Sequence, residues 1–564
     1  TLIDPTCGSG HFLLGAFRRL LGRWQKEAPT ESIEDLARRA LEQVYGVDIN
    51  PYAVAIARFR LVLALLDAVG IKRLERAPDI KPNVVVADSL LHRFGAKANT
   101  QMRLTEQISL DDIAWGDQLF RLENRGAVER VLSKRFHAVV GNPPYITEKD
   151  ASKRKKYRDM YKSAAGKYSL SAPFTERFFD LGVDGGFVGM INSNAWTKRD
   201  YGKTLIEKIL PRFDVRKVID TAGCYLPGHG TPTLLLFGRH RKPGDADAVA
   251  VLGKRGEQQE PPTPSKAPVW SEIVEHNNDV GFEGKYVSVE SVPVKELAKH
   301  PWILLGGGGR EAFRRLEAAC DTDVEAIVNG VGFCAFSGQD HAFLVTMGVG
   351  PRARLEPESV RHLVKGEDAR DWDVVRDLDC IAPYSQTTET LLVELPEGTE
   401  CFLWPSRTSL QSTKGFGGKS RGETGRRWWE WSRWVPARHG RINAIVGAYV
   451  STHNHFVRAA KGRVYRGGAS INYIDLQANL DDPSIDALLG YLNSSAVAFW
   501  CRLVMFPKGG DQVGDGARLS ATQWNRHLEY AGNLLQQLPA RKRNKRGVDE
   551  LRRPPFRVGP VGRR

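Results

Sequence analysis

The chain has 564 residues, of which 41% are hydrophobic and 26% charged, a composition typical of folded globular proteins rather than disordered ones. No apolar run approaches the roughly 18 residues that a membrane-spanning helix needs, so no membrane partner is expected. The formal net charge is +15, but the last 24 residues hold ten basic and two acidic side chains. The body of the chain is therefore only mildly basic, and a nucleic-acid partner must be argued from motifs.

The first 240 residues alternate short apolar runs with helical patterns, which predicts a mostly parallel sheet covered by helices. Ser32 with Asp35 resembles a capping box that opens a helix before the second run. Pro51 is placed to begin a helix that extends to about Ala68. The predicted strands lie at 1–4, 44–48, 84–88, 136–142, 186–192, 215–220 and 233–238.

The second half of the chain is less regular. Residues 241–268 are rich in Pro, Gly, Lys and Glu and predict a linker. Residues 269–540 predict a second, α+β domain, and the basic stretch 541–564 predicts a disordered tail. The seven cysteines form no C-x-x-C pair and show no zinc spacing, so we expect free thiols in a cytoplasmic protein and no metal site.

Glycines and acids mark the ends of the first three predicted strands. The first strand leads into a loop in which Gly8 and Gly10 would let a ligand approach the bare backbone. Asp48 ends the second strand and could accept both hydroxyls of a ribose, and Asp88 could accept the amino group of an adenine. Each feature alone is weak, because glycine turns and helix-capping acids are common. Their order favours a nucleoside ligand without a pyrophosphate, since no P-loop is present and the Gly10-to-Asp48 spacing exceeds the roughly 20 residues of a dinucleotide fingerprint.

The segment Asn142-Pro143-Pro144-Tyr145 follows the fourth predicted strand. Two prolines fix the backbone and remove two donors, so the turn presents carbonyl oxygens and the Asn142 amide. An amino group could donate to the Asn142 amide oxygen and the Pro143 carbonyl, which leaves its lone pair aimed at an electrophile. Tyr145 could stack on the ring that carries the amine. The alternative, a plain Asn-Pro turn, is disfavoured by the pattern upstream.

Together these motifs resemble those of the gamma class of N6-adenine DNA methyltransferases. DPTCGSGHF (4–12) matches the family's cofactor loop, GVDIN (46–50) its ribose acid, ADSL (87–90) its adenine acid and NPPY (142–145) its catalytic motif, in the family's order. The forms of the first two, with YLPGHGTPTLLLFGR at 225–239, resemble the methyltransferases of BREX-type, phage-growth-limitation defence systems. The resemblance covers about residues 1–240. It implies a Rossmann-like, S-adenosylmethionine-dependent domain followed by a target-recognition domain, with double-stranded DNA as partner and other phage-defence proteins as further candidates.

The resemblance also assigns roles to individual residues. Asn142 and Pro143, with Pro144 in the same catalytic turn, would accept from N6 of a target adenine that stacks on Tyr145. Tyr225 is the best match for a second stacking aromatic, with His229 as the alternative. The family carries a further cofactor-contacting segment, which is expected upstream of the glycine loop. The methionine end of the cofactor would be held by Asp4, Pro5, Thr6, Gly8 and Gly10, its ribose by Asp48, and its adenine by Ile49 and Asp88.

Direct transfer of the methyl group needs no covalent enzyme intermediate, so Cys7 in the loop is expected to be a packing residue. In the second domain, five tryptophans fall within 404–434, and eight basic residues stand against two acids in 414–441. This mixture favours phosphate contacts by Lys419, Arg421, Arg426 and Arg427. The tryptophans fit DNA stacking and a protein core equally well. Residues 488–502 resemble the leucine-Asn-Ser helix of recognition domains.

Two other functions stay open. Protein-glutamine and ribosomal RNA N-methyltransferases use the same NPPY turn, and a DNA-recognition subunit could have lost methylation. The glycine loop and the large second domain favour an adenine-specific DNA methyltransferase of a BREX-type or restriction-modification system.

Overall fold

A computed structural model gives the fold, and it describes residues 1–73, 75, 78–91, 125–227, 231–257, 260–370, 372–375, 378–415, 418–439, 443–467, 470–507, 511–513, 516–518 and 527–540. The chain forms two compact units with their boundary between Gly307 and Gly308, and the short strands Asp511–Val513 and Gly516–Arg518 belong to the first. His229 and the basic tail 541–564 lie outside the described residues.

The first unit is built on one nine-stranded sheet. Its strands are β1 (Leu2–Asp4), β2 (Val44–Asp48), β3 (Asn83–Val86), β4 (Phe136–Gly141), β5 (Gly182–Ser193), β6 (Asp214–Asp220), β7 (Thr233–Arg239), β8 (Ala248–Gly253) and β9 (Val287–Val292). Their order is β3-β2-β1-β4-β5-β7-β6-β8-β9. The first five strands of this order, β3, β2, β1, β4 and β5, run parallel to one another. Strand β7 is antiparallel to both its neighbours, and β9 is antiparallel to β8. The predicted mostly parallel α/β sheet is confirmed, and all seven predicted strands are present.

Helices cover both faces of this sheet. Alternate residues of one strand point to opposite faces: Val84 and Val86 join the apolar cluster packed on the three helices of the first 68 residues, whereas Val85 joins the cluster of the other face.

The predicted Ser32 cap is confirmed, because its side chain accepts a hydrogen bond from the Asp35 backbone N–H. The helices are α1 (His11–Glu27), α2 (Ile33–Glu42), α3 (Pro51–Ala68), α4 (Arg125–Leu132), α5 (Ala151–Met160), α6 (Ser171–Asp180), α7 (Pro268–His276) and the short α8 (Val294–Leu297).

Residues 241–268 do not form the linker that the sequence predicted between two domains. Within that segment β8 pairs with β6 and β9, and its Ala248, Ala250 and Leu252 are buried in the main core of the first unit. The five apolar residues 248–252 of β8 alternate between the two faces of the sheet, which is enough for a strand, although prolines, lysines and glycines flank them. The first unit therefore continues through β9 to Gly307.

The second unit begins at Gly308, not at the predicted residue 269, and combines helices with antiparallel and mixed sheets. One four-stranded sheet has the order Val328–Gly332, Ile471–Leu476, Ala444–Ala448, Phe456–Arg458, and another has the order Leu344–Thr346, Leu378–Ile381, Val360–Val364, Arg463–Tyr465. The first sheet is wholly antiparallel, and the second contains one parallel pair. The helices of six or more residues are Gly309–Ala318, Glu397–Leu403, Arg407–Ser412, Asp482–Leu492 and Ser495–Val504.

The leucine-Asn-Ser segment is the junction of the last two of these helices. Asn493 accepts a hydrogen bond from the Phe456 N–H (2.9 Å) and donates one to its carbonyl (2.8 Å), as a neighbouring strand would. Ser494 caps the following helix by accepting from the Val497 N–H. The motif is thus explained by packing of the helix pair on the sheet edge. Among the described residues no single helix is long and apolar enough to cross a membrane, and these two reach that limit only together, as a bent pair.

Candidate active site

Four polar side chains lie at the carboxyl ends of four neighbouring parallel strands. Asp88 follows β3, Asp48 ends β2, Asp4 ends β1 and Asn142 follows β4, and these strands are adjacent in the order β3-β2-β1-β4. Open α/β sheets bind ligands outside this edge. The structure therefore brings the predicted cofactor acids and the catalytic turn together on one edge of the first unit.

The glycine loop uses backbone conformations that favour glycine. Gly8 and Gly10 have φ angles of +51° and +85°. A Cβ at Gly8 would meet no atom within 4 Å, whereas one at Gly10 would lie 3.0 Å from the Ala57 side chain. Gly10 thus allows the loop to pack on α3, and Gly8 presents bare backbone to open space, as a ligand-binding loop requires.

The Asp4 carboxylate is almost fully buried, with 1% of its surface exposed. Its Oδ1 accepts hydrogen bonds from the Thr6 N–H (2.9 Å) and hydroxyl (3.3 Å). Burial, and to a lesser extent the negative charge of Asp48, raises the pKa of Asp4 to about 7. A cationic ligand at this edge would relieve the repulsion between the two carboxylates, so the donor set fits the ammonium and sulfonium charges of S-adenosylmethionine.

Asp48 closes the glycine loop from the neighbouring strand. Its two oxygens accept from the Gly8 N–H and the Asn50 N–H, each at 2.8 Å. A carboxylate oxygen has further lone pairs, so these bonds fix its direction without removing its capacity for hydroxyl groups. Ile49 beside it is 46% exposed, which leaves an apolar side chain available to a flat ring.

Cys7 is buried in the loop, and its N–H donates to the Val47 carbonyl. Burial, with the charges of Asp4 and Asp48, raises the pKa of the Cys7 thiol far above its ordinary value. A protonated buried thiol is a poor nucleophile, in agreement with a packing role.

Asp88 accepts hydrogen bonds from a backbone N–H and from a tyrosine hydroxyl. Its Oδ1 accepts from the Leu90 N–H (3.0 Å) and its Oδ2 from the hydroxyl of Tyr157 (2.6 Å), a residue of α5 that is 2% exposed. The following residue, Ser89, donates its hydroxyl to the Pro5 carbonyl at 2.6 Å. This bond joins the segment of Asp88 to the glycine loop.

The catalytic turn begins directly at the end of β4. Pro143 is buried, Pro144 and Tyr145 are half-buried, and Asn142 is exposed. The Tyr145 hydroxyl donates a hydrogen bond to Asn142 Oδ1, and burial raises the pKa of that hydroxyl. The bond ties the two polar side chains of the turn together, and a second lone pair of the amide oxygen remains.

Tyr225 lies in the segment after β6, where it is 6% exposed and donates its hydroxyl to Glu260 at 2.6 Å. The structure thus places this candidate in a buried environment with a carboxylate partner. Its assignment as a second stacking aromatic stays a prediction.

The four basic residues predicted to contact phosphates fall into two groups. Lys419 and Arg427 are exposed. Arg426 donates to Glu430 Oε1 at 2.8 Å and to the carbonyls of Trp431 and Ser432.

The prediction for Arg421 is corrected. Its side chain is 2% exposed and donates to the carbonyls of Leu410 and Ser337, each at 2.7 Å. Those bonds join two segments of the second unit, so this cation serves the fold. Burial lowers its pKa.

Most of the clustered tryptophans are core residues. Trp428, Trp429 and Trp431 are at most 9% exposed and pack in the main apolar cluster of the second unit. Trp404 is 51% exposed, with the Arg407 guanidinium 4.5 Å from its ring centre. The core interpretation therefore holds for these three rings.

Two features of α5 escaped the sequence analysis. Tyr157 looks solvated within ASKRKKYRDM, but its helical position turns it inward to Asp88. The same run places Lys153, Lys155 and Lys156 on the helix that follows the catalytic turn, half-exposed or exposed and in no ion pair with another described residue. The signal available was the charge run itself, eight residues after the turn.

The chain is similar to known methyltransferases. Residues 42–225 match the family model described as the Eco57I restriction-modification methylase. The sequence is 37% identical, over 95% of the chain, to the adenine-specific methyltransferase PglX of Streptomyces coelicolor, of which it covers 45%. It is 25% identical, over 65% of the chain, to the type II methyltransferase M.PaeR7I of Pseudomonas aeruginosa, of which it covers 56%. The resemblance to adenine-specific methyltransferases is confirmed.

The chain thus spans about half the length of these relatives. A similar solved structure is the type IIL restriction-modification enzyme MmeI in complex with DNA, with a TM-score of 0.56 and 13% identity, covering 95% of this chain and 62% of that one. At this identity the likeness shows the fold alone. It extends over most of both the first and the second unit.

The buried carboxyl of Asp4 predicts a pH dependence of stability. The folded chain keeps its proton up to about pH 7, whereas an unfolded chain releases it near pH 4. The free energy of unfolding should therefore fall as the pH rises from about 4 to 7, and the lost stability should stay lost above that range. Asp4→Asn, which keeps an acceptor for Thr6, should remove a contribution of about 3 kcal/mol from the part of this decline between pH 5 and 7.

Urea unfolding at several pH values between 5 and 8 measures this difference. Asn142→Ala, which retains Asp4, serves as the control and should keep the wild-type slope. An Asp4→Asn profile parallel to that of the wild type would contradict the assignment.

The buried Arg421 predicts a loss of stability rather than a specific loss of DNA binding. Arg421→Gln should leave the carbonyls of Leu410 and Ser337 without their donor and lower the free energy of unfolding by about 2 to 4 kcal/mol. Lys419→Gln, two residues away and exposed, should change it by less than about 0.5 kcal/mol. Urea unfolding followed by tryptophan fluorescence compares the two, and equal effects would overturn the correction.

Proposed function

We propose that this protein is an adenine-specific DNA methyltransferase that transfers the methyl group of S-adenosylmethionine to N6 of adenine in double-stranded DNA. The observation that carries the proposal is the meeting of Asp88, Asp48, Asp4 and Asn142 at the ends of four adjacent parallel strands. The similarity to adenine-specific methyltransferases supports it. The biological setting is bacterial defence against phage, of the BREX or restriction-modification type, in which other defence proteins are candidate partners.

The residues at the strand ends divide the cofactor among them. S-adenosylmethionine, when bound, supplies an electrophilic methyl group on a positively charged sulfur. The buried Asp4 contributes negative charge beside the glycine loop, Asp48 accepts from ribose hydroxyls, and Asp88 accepts from the adenine amino group, with Ile49 against the ring. The methionine end lies along Asp4, Pro5, Thr6, Gly8 and Gly10.

The NPPY turn holds the target base. Asn142 Oδ1 and the Pro143 carbonyl accept the two N–H groups of the adenine, so the N6 lone pair points away from the turn. S-adenosylmethionine would supply the methyl group for the new N6–carbon bond, its sulfur would keep the electron pair of the broken sulfur–carbon bond, and N6 would lose one proton to solvent. Tyr145, and on the opposite side Tyr225, stack on the base, which leaves the duplex at a cost of a few kcal/mol. Positioning of the two reactants supplies most of the rate.

Two sets of cations offer contacts to the DNA backbone. In the first unit, Lys153, Lys155 and Lys156 of α5 begin eight residues after Tyr145. In the second unit, Lys419 and Arg427 are exposed. We assign target recognition to this second unit. Lysine and arginine bind phosphates without regard to sequence, so these residues fix the position of the DNA.

The alternatives are separated by the substrate. A protein-glutamine or ribosomal RNA methyltransferase would use the same turn on another planar amide or amine. A recognition subunit would bind DNA without transferring a methyl group. The relatives named adenine-specific methyltransferases favour the DNA enzyme.

Asn142→Ala should abolish methyl transfer while sparing the fold, because Asn142 is exposed and its side chain supplies the acceptor for the target amino group. We expect a rate at least 100-fold lower, comparable to losing one positioned polar group in other enzymes. The full-length gene product is incubated with labelled S-adenosylmethionine and duplex DNA, ribosomal RNA or cell protein, and the products are digested and separated.

Label in N6-methyladenine that disappears in Asn142→Ala supports the proposal, and S-adenosylhomocysteine binding in the variant is the control for folding. Label in RNA or glutamine instead would replace DNA as the substrate. DNA binding without any label would favour the recognition subunit.

Replacing the three lysines of α5 by glutamine should weaken DNA binding through lost phosphate contacts. Each contact contributes about 0.9 to the slope of log affinity against log salt, so the slope should fall by about 2 to 3. Fluorescence anisotropy with a labelled duplex, at salt concentrations from 50 to about 300 mM, measures it.

The matched control replaces Arg18, Arg19 and Lys26, which are exposed on α1, and removes the same net charge. It should leave the slope within about 0.5 of the wild-type value, because only contacting cations release counterions. An equal fall in both triple variants would show that total charge, and not this helix, governs binding.

A further inference from the structure

We propose that Tyr157 is a positioning residue for the cofactor: its hydroxyl orients the Asp88 carboxylate so that this carboxylate recognises the amino group of the cofactor's adenine. The inference rests on the proposed function and extends it to a residue outside the family motifs. It starts from one contact, the 2.6 Å hydrogen bond from the Tyr157 hydroxyl to Asp88 Oδ2.

The geometry around Asp88 leaves its carboxylate little freedom. The Leu90 N–H binds Oδ1 and Tyr157 binds Oδ2, so both oxygens are held from different directions. A carboxylate oxygen can accept more than one hydrogen bond, and these two bonds fix the directions in which the two oxygens point. Without Tyr157, the carboxylate could rotate about its terminal bond, because this torsion has broad minima.

The surroundings make the phenol a dependable donor. Tyr157 is 2% exposed, and burial together with the charge of Asp88 raises the pKa of its hydroxyl. The hydroxyl therefore stays protonated across the physiological range, and Asp88 is the acceptor to which it donates. The contact also joins two separate parts of the site, because α5 follows the NPPY turn and Asp88 follows β3.

A neighbouring tyrosine provides a matched control. Tyr161, which follows α5 directly, is 1% exposed and donates its hydroxyl to the Leu90 carbonyl at 2.8 Å. Its hydroxyl contacts the same segment at the Leu90 backbone carbonyl. Tyr157→Phe and Tyr161→Phe thus remove one buried hydroxyl each, and the first removes the hydrogen bond to the Asp88 carboxylate.

The test measures binding of two ligands to the full-length protein by calorimetry. S-adenosylhomocysteine carries the 6-amino group, and S-inosylhomocysteine carries a carbonyl oxygen in its place. We expect Tyr157→Phe to weaken S-adenosylhomocysteine binding about 10- to 150-fold, the equivalent of one hydrogen bond to a charged group, and to reduce the preference for the adenine ligand. Tyr161→Phe should keep the wild-type preference, because a purely structural effect weakens both ligands alike.

A double-mutant cycle in the unliganded protein checks the contact independently. Tyr157→Phe should lower stability in the wild type but much less in the Asp88→Ala background, whereas Tyr161→Phe should cost the same in both. The positioning role is overturned if Tyr157→Phe keeps the wild-type ligand preference. Tighter binding in Tyr157→Phe would also overturn it, since Tyr157 would then compete with the ligand for Asp88. A wild type that binds neither ligand would refute the proposed function itself.

Discussion

The buried carboxylate of Asp4 is the constraint on which the rest of the site depends. It fixes the start of the glycine loop through two hydrogen bonds from Thr6. It also excludes any side chain at position 141, because a Cβ there would overlap Asp4 Oδ1. The last residue of β4 must therefore be glycine, and Asn142 emerges immediately beside it. One charge thus links the loop that would hold the cofactor to the turn that would hold its target.

Burying the Asp4 carboxylate costs free energy, and a positively charged ligand at this edge of the sheet would offset that cost. Asp4 and Asp48 end adjacent strands, and their proximity adds to the effect of burial on the pKa of Asp4. Raised carboxyl pKa values of this kind are common where a charged ligand is bound, because the ligand's opposite charge stabilises the ionised form. Meanwhile Asp48 and Asp88 each accept a hydrogen bond from a backbone N–H two residues further along the chain, those of Asn50 and Leu90. The acids are therefore oriented before any ligand arrives, which lowers the entropic cost of binding.

The sequence predicted the part of the molecule that depends on local patterns. Strands β1 to β7, the Ser32 cap and the helix from Pro51 follow from periodicity and from capping chemistry, so the placement of the acids at strand ends could be inferred. Strand β8 was missed, because a run of only five apolar residues between segments rich in proline and lysine is a weak indication of a strand.

The contacts of Arg421 and Tyr157 could not be inferred in the same way. Each is made with residues far away in the chain, and both side chains lie in charge-rich segments that look solvated. Whether a cation is a phosphate ligand or a fold anchor depends on tertiary burial, which neighbours in sequence do not determine. Lys419 and Arg421 illustrate this, since they are two residues apart and differ completely in exposure.

In the proposed function, helix α5 serves both substrates. Its inward side carries Tyr157, whose hydroxyl donates to Asp88, whereas its other positions carry the lysines. A helix held rigidly on one side presents the charges of the other side at defined positions, which a mobile loop of the same composition would not do. Because α5 is joined to the NPPY turn by only a few residues, displacement of the helix would disturb the target amino group and the cofactor carboxylate together. In the proposed function, the conformation of this helix is therefore constrained by both the cofactor and the target base.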